Sequence, residues 1–67
     1  MARAALADPL LETEEVAAYL RVPVATLYAW RSRGEGPRAH RVGKYLRFRQ
    51  SDVDAWLERR SDPAPAA

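Results

Sequence analysis

The sequence predicts a mainly α fold with one small β-hairpin, in the order helix, turn, helix, hairpin, helix. Three observations lead there. Two short stretches of helical apolar spacing meet at Leu20-Arg21-Val22-Pro23, and two alternating stretches flank Gly43-Lys44. Helical spacing then returns at Val53, Trp56 and Leu57.

Residues 14–20 put Val16, Ala17 and Leu20 on one helical face. Thr13 is expected as the side-chain cap, with Glu14 and Glu15 at the positive end of the helix dipole. Pro23 cannot continue that helix, but its fixed φ suits the start of another. In the second helix Leu27 and Trp30 face inward, while Ala25, Thr26, Tyr28, Ala29, Arg31 and Ser32 fall mainly elsewhere on the surface. Gly34, Gly36 and Pro37 predict its end near Arg33. Two short helices on a tight turn form a helix-turn-helix unit, whose second helix can enter a DNA major groove; any helical hairpin shares the pattern.

Arg38-Ala39-His40-Arg41-Val42 and Tyr45-Leu46-Arg47-Phe48-Arg49 read as the two strands of a hairpin. Leu46 and Phe48 serve the core, and Tyr45, Arg47 and Arg49 form a basic and aromatic outer face. His40 shares the parity of Val42 and is expected as a partly covered edge residue, with phosphate contact as its other reading. A hairpin after a helix-turn-helix is a wing, so the fold class is a winged helix-turn-helix. Residues 51–60 form the last helix, with Ser51 and Asp52 suited to its start and Arg59 and Arg60 to its end. Trp30 and Trp56 are read as core aromatics.

Leu10 and Leu11 are expected to pack beneath the first helix. Residues 1–9 read as a flexible N-terminal arm whose basic side chain is Arg3, residues 10–60 as the domain, and residues 61–67 as a disordered tail.

At 67 residues the chain is one small domain near the lower limit for unaided folding. It has no cysteine and one histidine, so no disulfide, no metal site and no cofactor are expected. No run nears the ~20 apolar residues of a membrane span, and no signal-peptide layout opens the chain, so the expected location is cytoplasmic, without membrane contact. No catalytic pair or triad is visible, and an enzyme is not expected.

The net charge of +2 is unevenly spread. Arg31, Arg33, Arg38, Arg41, Lys44, Arg47 and Arg49 face only Glu35 in residues 31–49, whereas residues 1–30 and 50–67 each carry a net −2. The bland reading of the basic block is a solvated face. Its position beside the second helix, and its richness in arginine, make it an electrostatic footprint for a polyanion.

With that order in hand, the chain resembles the small winged helix-turn-helix proteins of the excisionase type, related to the DNA-binding domains of the MerR regulators. The matching residues are Leu11-Glu12-Thr13-Glu14-Glu15-Val16-Ala17-Ala18-Tyr19-Leu20, Val22, Thr26-Leu27-Tyr28-Ala29-Trp30 and Gly36-Pro37. Arg41-Val42-Gly43-Lys44, Leu46-Arg47-Phe48 and Asp52-Val53-Asp54-Ala55-Trp56-Leu57 complete them. Members often carry Ser or Thr where this chain has Pro23, so a hydroxyl contact from that position is lost.

The resemblance implies a non-catalytic protein that binds double-stranded DNA. Many such proteins are recombination directionality factors, which bind repeated sites side by side, bend the DNA and direct a separate integrase to excision. Others are stand-alone transcription regulators of MerR-like type, and a protein-interaction adaptor using Tyr28 and Tyr45 as anchors is a further reading. A chain with no effector domain beyond the wing favours excision. An RNA-binding module would share the basic hairpin, but the turn and short wing fit duplex DNA better.

The expected contact residues on the second helix are Ala25, Thr26, Tyr28, Ala29, Arg31, Ser32 and Arg33; those on the wing are Arg41, Lys44, Tyr45, Arg47 and Arg49. Thr26 would meet a thymine methyl or a phosphate, and Tyr28 a phosphate. Arg31 and Arg33 would anchor the helix end on the backbone, or one would read a guanine edge. Head-to-tail self-association on DNA is expected where the acidic helices of one copy meet the basic wing of the next.

Overall fold

The alternating residues on either side of Gly43 pair as the sequence predicts, but the second strand has another neighbour as well. In the computed structural model, which describes residues 8–62, the order is β1 (Leu10–Glu12), α1 (Thr13–Leu20), α2 (Val24–Ser32), β2 (His40–Val42), β3 (Tyr45–Arg49) and α3 (Gln50–Arg59). This is the winged helix-turn-helix, with β1 added. The readings of residues 1–7 as an arm, with Arg3, and of residues 63–67 as a tail lie outside the described residues.

The strands form an antiparallel sheet in the order β1-β3-β2. Leu10 pairs with Arg49, Leu11 with Phe48 and Glu12 with Arg47, while His40 also faces Arg47 and Val42 faces Tyr45. Leu10 and Leu11 therefore do not pack together beneath α1. Their side chains alternate, so Leu11 packs against the core and Leu10 stays exposed. Three residues are too few for alternation to announce a strand.

The core gathers Val16 and Ala17 from α1, Leu27 from α2, Phe48 from β3 and Val53 from α3. Val16 and Val53 are fully enclosed, and burial of such side chains stabilises by about 1.5–3 kcal/mol each. Thr13 is the first residue of α1 and buried, so it is not the cap expected of it. Glu12 takes that position, and its N–H donates to Glu15 Oε1 at 2.8 Å. Among the described residues no helix is long and apolar enough to cross a membrane.

Between α1 and α2, Arg21 adopts the left-handed conformation, φ 60° and ψ 46°, and the Val22 N–H returns to the Ala17 carbonyl at 3.0 Å. That closes the helix as a glycine would, with a side chain where Cβ is disfavoured. The chain after α2 also folds back. Glu35 N–H donates to the Trp30 carbonyl at 2.7 Å, and Gly36, at φ 85°, lies so close that a Cβ there would sit 3.2 Å from Trp30 Cβ. Trp30 in turn meets Trp56 with ring centroids 5.3 Å apart, so α3 braces α2.

Helix α3 begins one residue earlier than the sequence suggests, and its first turn is held from outside. Asp8 accepts from the Ser51 N–H and from Ser51 Oγ, both at 2.8 Å, while the Gln50 N–H donates to the Pro9 carbonyl at 3.1 Å. Asp8 and Pro9, placed in the arm by composition, are thus fastened to α3. The Ser51 hydrogen bonds, with Arg49 nearby, hold the Asp8 carboxyl below its ordinary value of 3.8. Within α3, Val53 and Trp56 are buried as expected, but Leu57 is 43% exposed, since among the described residues no element covers that flank. Tyr19 donates to Asp54 Oδ1 at 2.7 Å, which ties α1 to α3 and raises the phenol above 10.0.

Two outcomes follow for stability. Arg21→Gly should raise it by about 0.5–1 kcal/mol in urea unfolding, since glycine carries no Cβ in the left-handed region. Asp8→Ala should lower the melting temperature near neutral pH. A carboxyl depressed in the native state stabilises above its unfolded value and stops doing so as pH falls through its native one. The difference between the two proteins should therefore close in acid, as thermal scans from about pH 7 down to about pH 2 would show.

Candidate nucleic-acid interface

Helix α2 turns about 100° per residue, which aligns Ala25, Tyr28, Ala29 and Ser32 along one stripe. All four are exposed, and the stripe lies opposite Leu27, the buried residue of this helix. Half-buried Thr26 lies about 110° around the helix from the centre of that stripe. Arg31 and Arg33 flank it on opposite sides. Ser32 Oγ donates to the Ala29 carbonyl at 3.0 Å, so that hydroxyl proton is already used within the helix. Tyr28 is 51% exposed and projects from the stripe toward the hairpin.

The wing tip is built by Gly43, whose φ of 64° permits the tight reversal before Lys44. Two cations lie over the ring of Tyr45, which is 55% exposed: Lys44 Nζ is 5.7 Å and Arg47 Cζ 5.0 Å from its centroid. Arg47 Nη1 also donates to the Leu46 carbonyl at 3.0 Å. Arg47 is held in place before any ligand arrives, which limits the side-chain entropy lost on binding. Arg41 pairs with Leu46 and so belongs to the opposite sheet face, yet it reaches the same hollow.

That hollow is an open groove of ≈ 440 Å³ between the wing and the helix pair. Tyr28 lines it from α2, and Arg41, Lys44, Tyr45, Leu46 and Arg47 line it from the hairpin. Five of the residues singled out from the sequence thus converge on one surface. Ala25, Ala29 and Ser32 continue that surface along the helix without lining the groove.

Two others are otherwise engaged. Arg33 Nη2 lies 3.3 Å from Glu35 Oε1, and Arg49 Nη1 lies 3.7 Å from Asp8 Oδ2, at the end of β3 far from the wing tip. His40 is half-buried, as its edge position implied, with Nε2 3.1 Å from Asp52 Oδ2. It ties β2 to the first turn of α3.

Sequence reasoning missed the third wall. Glu12, Thr13 and Glu14, at the start of α1, also line the groove, because pairing of β1 with β3 draws that start against the hairpin. Of these, the sequence reading assigns Glu14 to the helix dipole and Thr13 to the cap, and neither to the groove. The signal available was the short Leu10-Leu11 pair ahead of them. Among the described residues no cluster of His, Asp or Glu is placed to hold a metal ion.

The profile of a family described as "Helix-turn-helix domain" matches residues 10–61. No curated protein matches the chain.

The contact of Arg47 with the Tyr45 ring has a direct readout. Tyr45→Leu should shift the Arg47 side-chain proton resonances downfield as the ring current is lost, and should broaden the range of Arg47 rotamers sampled. Unchanged Arg47 resonances would contradict the packed wing.

Proposed function

The chain belongs to the helix-turn-helix domain family, and from that premise we propose that it binds double-stranded DNA sequence-specifically, with α2 in the major groove and the hairpin against the adjoining backbone or groove. One observation carries this reading: the exposed α2 stripe and the wing cations meet along a single surface, with Tyr28 at their junction. Phosphate contacts fall to Arg41, Lys44, Arg47 and Arg31, which have no carboxylate partner among the described residues. The Tyr28 hydroxyl sits where it can donate to a further phosphate. Glu12 and Glu14 repel the backbone on the third side and so set which way the duplex runs across the groove.

The finer role we assign is that of an excisionase-type recombination directionality factor. It would bind repeated sites, bend the DNA and direct a partner integrase to excision, without catalysis of its own. The resemblance over Leu10 to about Arg60 supports this role, as does the separation of charge, since acidic Asp54 and Glu58 lie off the basic surface. The same separation suits head-to-tail contact between copies on adjacent sites. Stand-alone transcription regulation of MerR-like type is the alternative within the same binding mode. An excision reporter carrying paired attachment sites, with and without this protein beside the integrase, separates the two.

Four neutralised phosphates give a slope of log affinity against log salt of about −3.6. Fluorescence anisotropy across a salt series measures it, and a slope near zero would refute the basic surface as the binding face. Arg47→Ala should weaken binding to all duplexes alike and reduce the slope by about one. Arg49→Ala, remote from the groove and paired with Asp8, should change stability more than affinity.

A further inference from the structure

We propose that α2 reads its target through thymine methyl groups, so that the preferred DNA presents a run of 5-methylpyrimidines in the major groove rather than guanine edges. The inference rests on the DNA-binding reading above and names the base chemistry that reading leaves open. It starts from what the groove-facing stripe contains. Ala25 and Ala29 offer methyl groups, Tyr28 offers a phenol, and Ser32 offers a hydroxyl whose proton is committed to the Ala29 carbonyl.

The missing chemistry matters as much. Bidentate recognition of guanine needs Arg or Lys, that of adenine needs Asn or Gln, and cytosine N4 needs a carboxylate. None of these side chains stands on the stripe. Arg31 and Arg33 lie roughly 90–110° around the helix from its centre, and Arg33 is held by Glu35. The serine lone pairs remain available, but a hydroxyl accepts or donates with several bases and separates them poorly. Tyr28 is drawn to the wing side, where phosphates rather than base edges would meet it.

What remains is apolar contact, for which the major groove offers one group, the C5 methyl. Two alanines also let the helix backbone come close to the bases, near enough for methyl groups to pack at about 3.5–4.0 Å. The stripe from Ala25 to Ser32 rises about 10 Å, enough to span about three base pairs.

The test starts from duplexes selected by the full chain out of a random library. Within the best site each thymine is replaced singly by uracil, and each guanine by 7-deazaguanine. Loss of one buried methyl should weaken binding about four-fold, and at least two positions under α2 should respond in this way. Restoring the methyl as 5-methylcytosine opposite guanine should recover binding at those positions. Ala29→Ser should abolish the thymine–uracil difference at one position and leave the salt slope unchanged. Indifference to every uracil, or loss on 7-deazaguanine under α2, overturns methyl readout while DNA binding stands. Failure of the chain to retain any duplex in a salt-dependent way overturns both.

Discussion

Pairing of β3 on both of its edges is the constraint on which the rest of this small domain depends. One edge carries β2 and makes the wing; the other carries β1 and fixes the wing against the start of α1. Phe48, the fourth of that strand's five residues, is buried among Val16, Leu27 and Val53, so the strand is anchored in the core that also seats both helices of the turn. Alternation then decides the other face: with Phe48 inward, Tyr45 and Arg47 must point outward. A slip of one residue would bury a guanidinium and expose the phenylalanine, an exchange the core could not sustain. The outward placement of Arg47 with Tyr45 is therefore a consequence of register rather than of local preference.

A chain of 67 residues has few apolar side chains to spare, and its ends show how the deficit is met. Asp8 caps α3 from outside the helix, Tyr19 links α1 to Asp54, and His40 links β2 to Asp52. Each joins elements distant in sequence by a polar contact at the surface, where the enclosed core does not reach. The tryptophan pair does the same in apolar terms, and Arg60 closes over Trp56 with its guanidinium carbon 4.9 Å from the ring centroid. Since α2 is held by Trp30, Leu27 and the returning Gly36 loop, its exposed stripe is presented by a rigid support.

Much of this was legible in the residues. The periods at Val16–Leu20, Leu27–Trp30 and Val53–Trp56, and the alternation across Gly43, locate three helices and a hairpin because each is long enough to repeat. The division of the charge was legible for a different reason, since charge is carried by residue type and needs no coordinates. What escaped were relations between distant segments. Leu10-Leu11-Glu12 is too short to show a period, and its partner lies 37 residues on, at Phe48 for Leu11. Asp8 looked like part of an arm because a capping carboxylate is recognisable only beside the helix it caps, and here that helix begins at Gln50. The engagement of Arg33 and Arg49 with carboxylates is likewise a matter of rotamer and proximity, which composition does not encode.

The central claim is that one continuous surface, α2 stripe plus wing, meets the DNA while α3 looks away. Amide chemical shifts recorded during titration with a duplex address it most directly. Shifts concentrated at Ala25, Tyr28, Ala29, Ser32, Lys44, Tyr45 and Arg47, with Asp54 and Glu58 unmoved, are the result the account predicts. Changes centred on α3, or spread evenly around the domain, would contradict it.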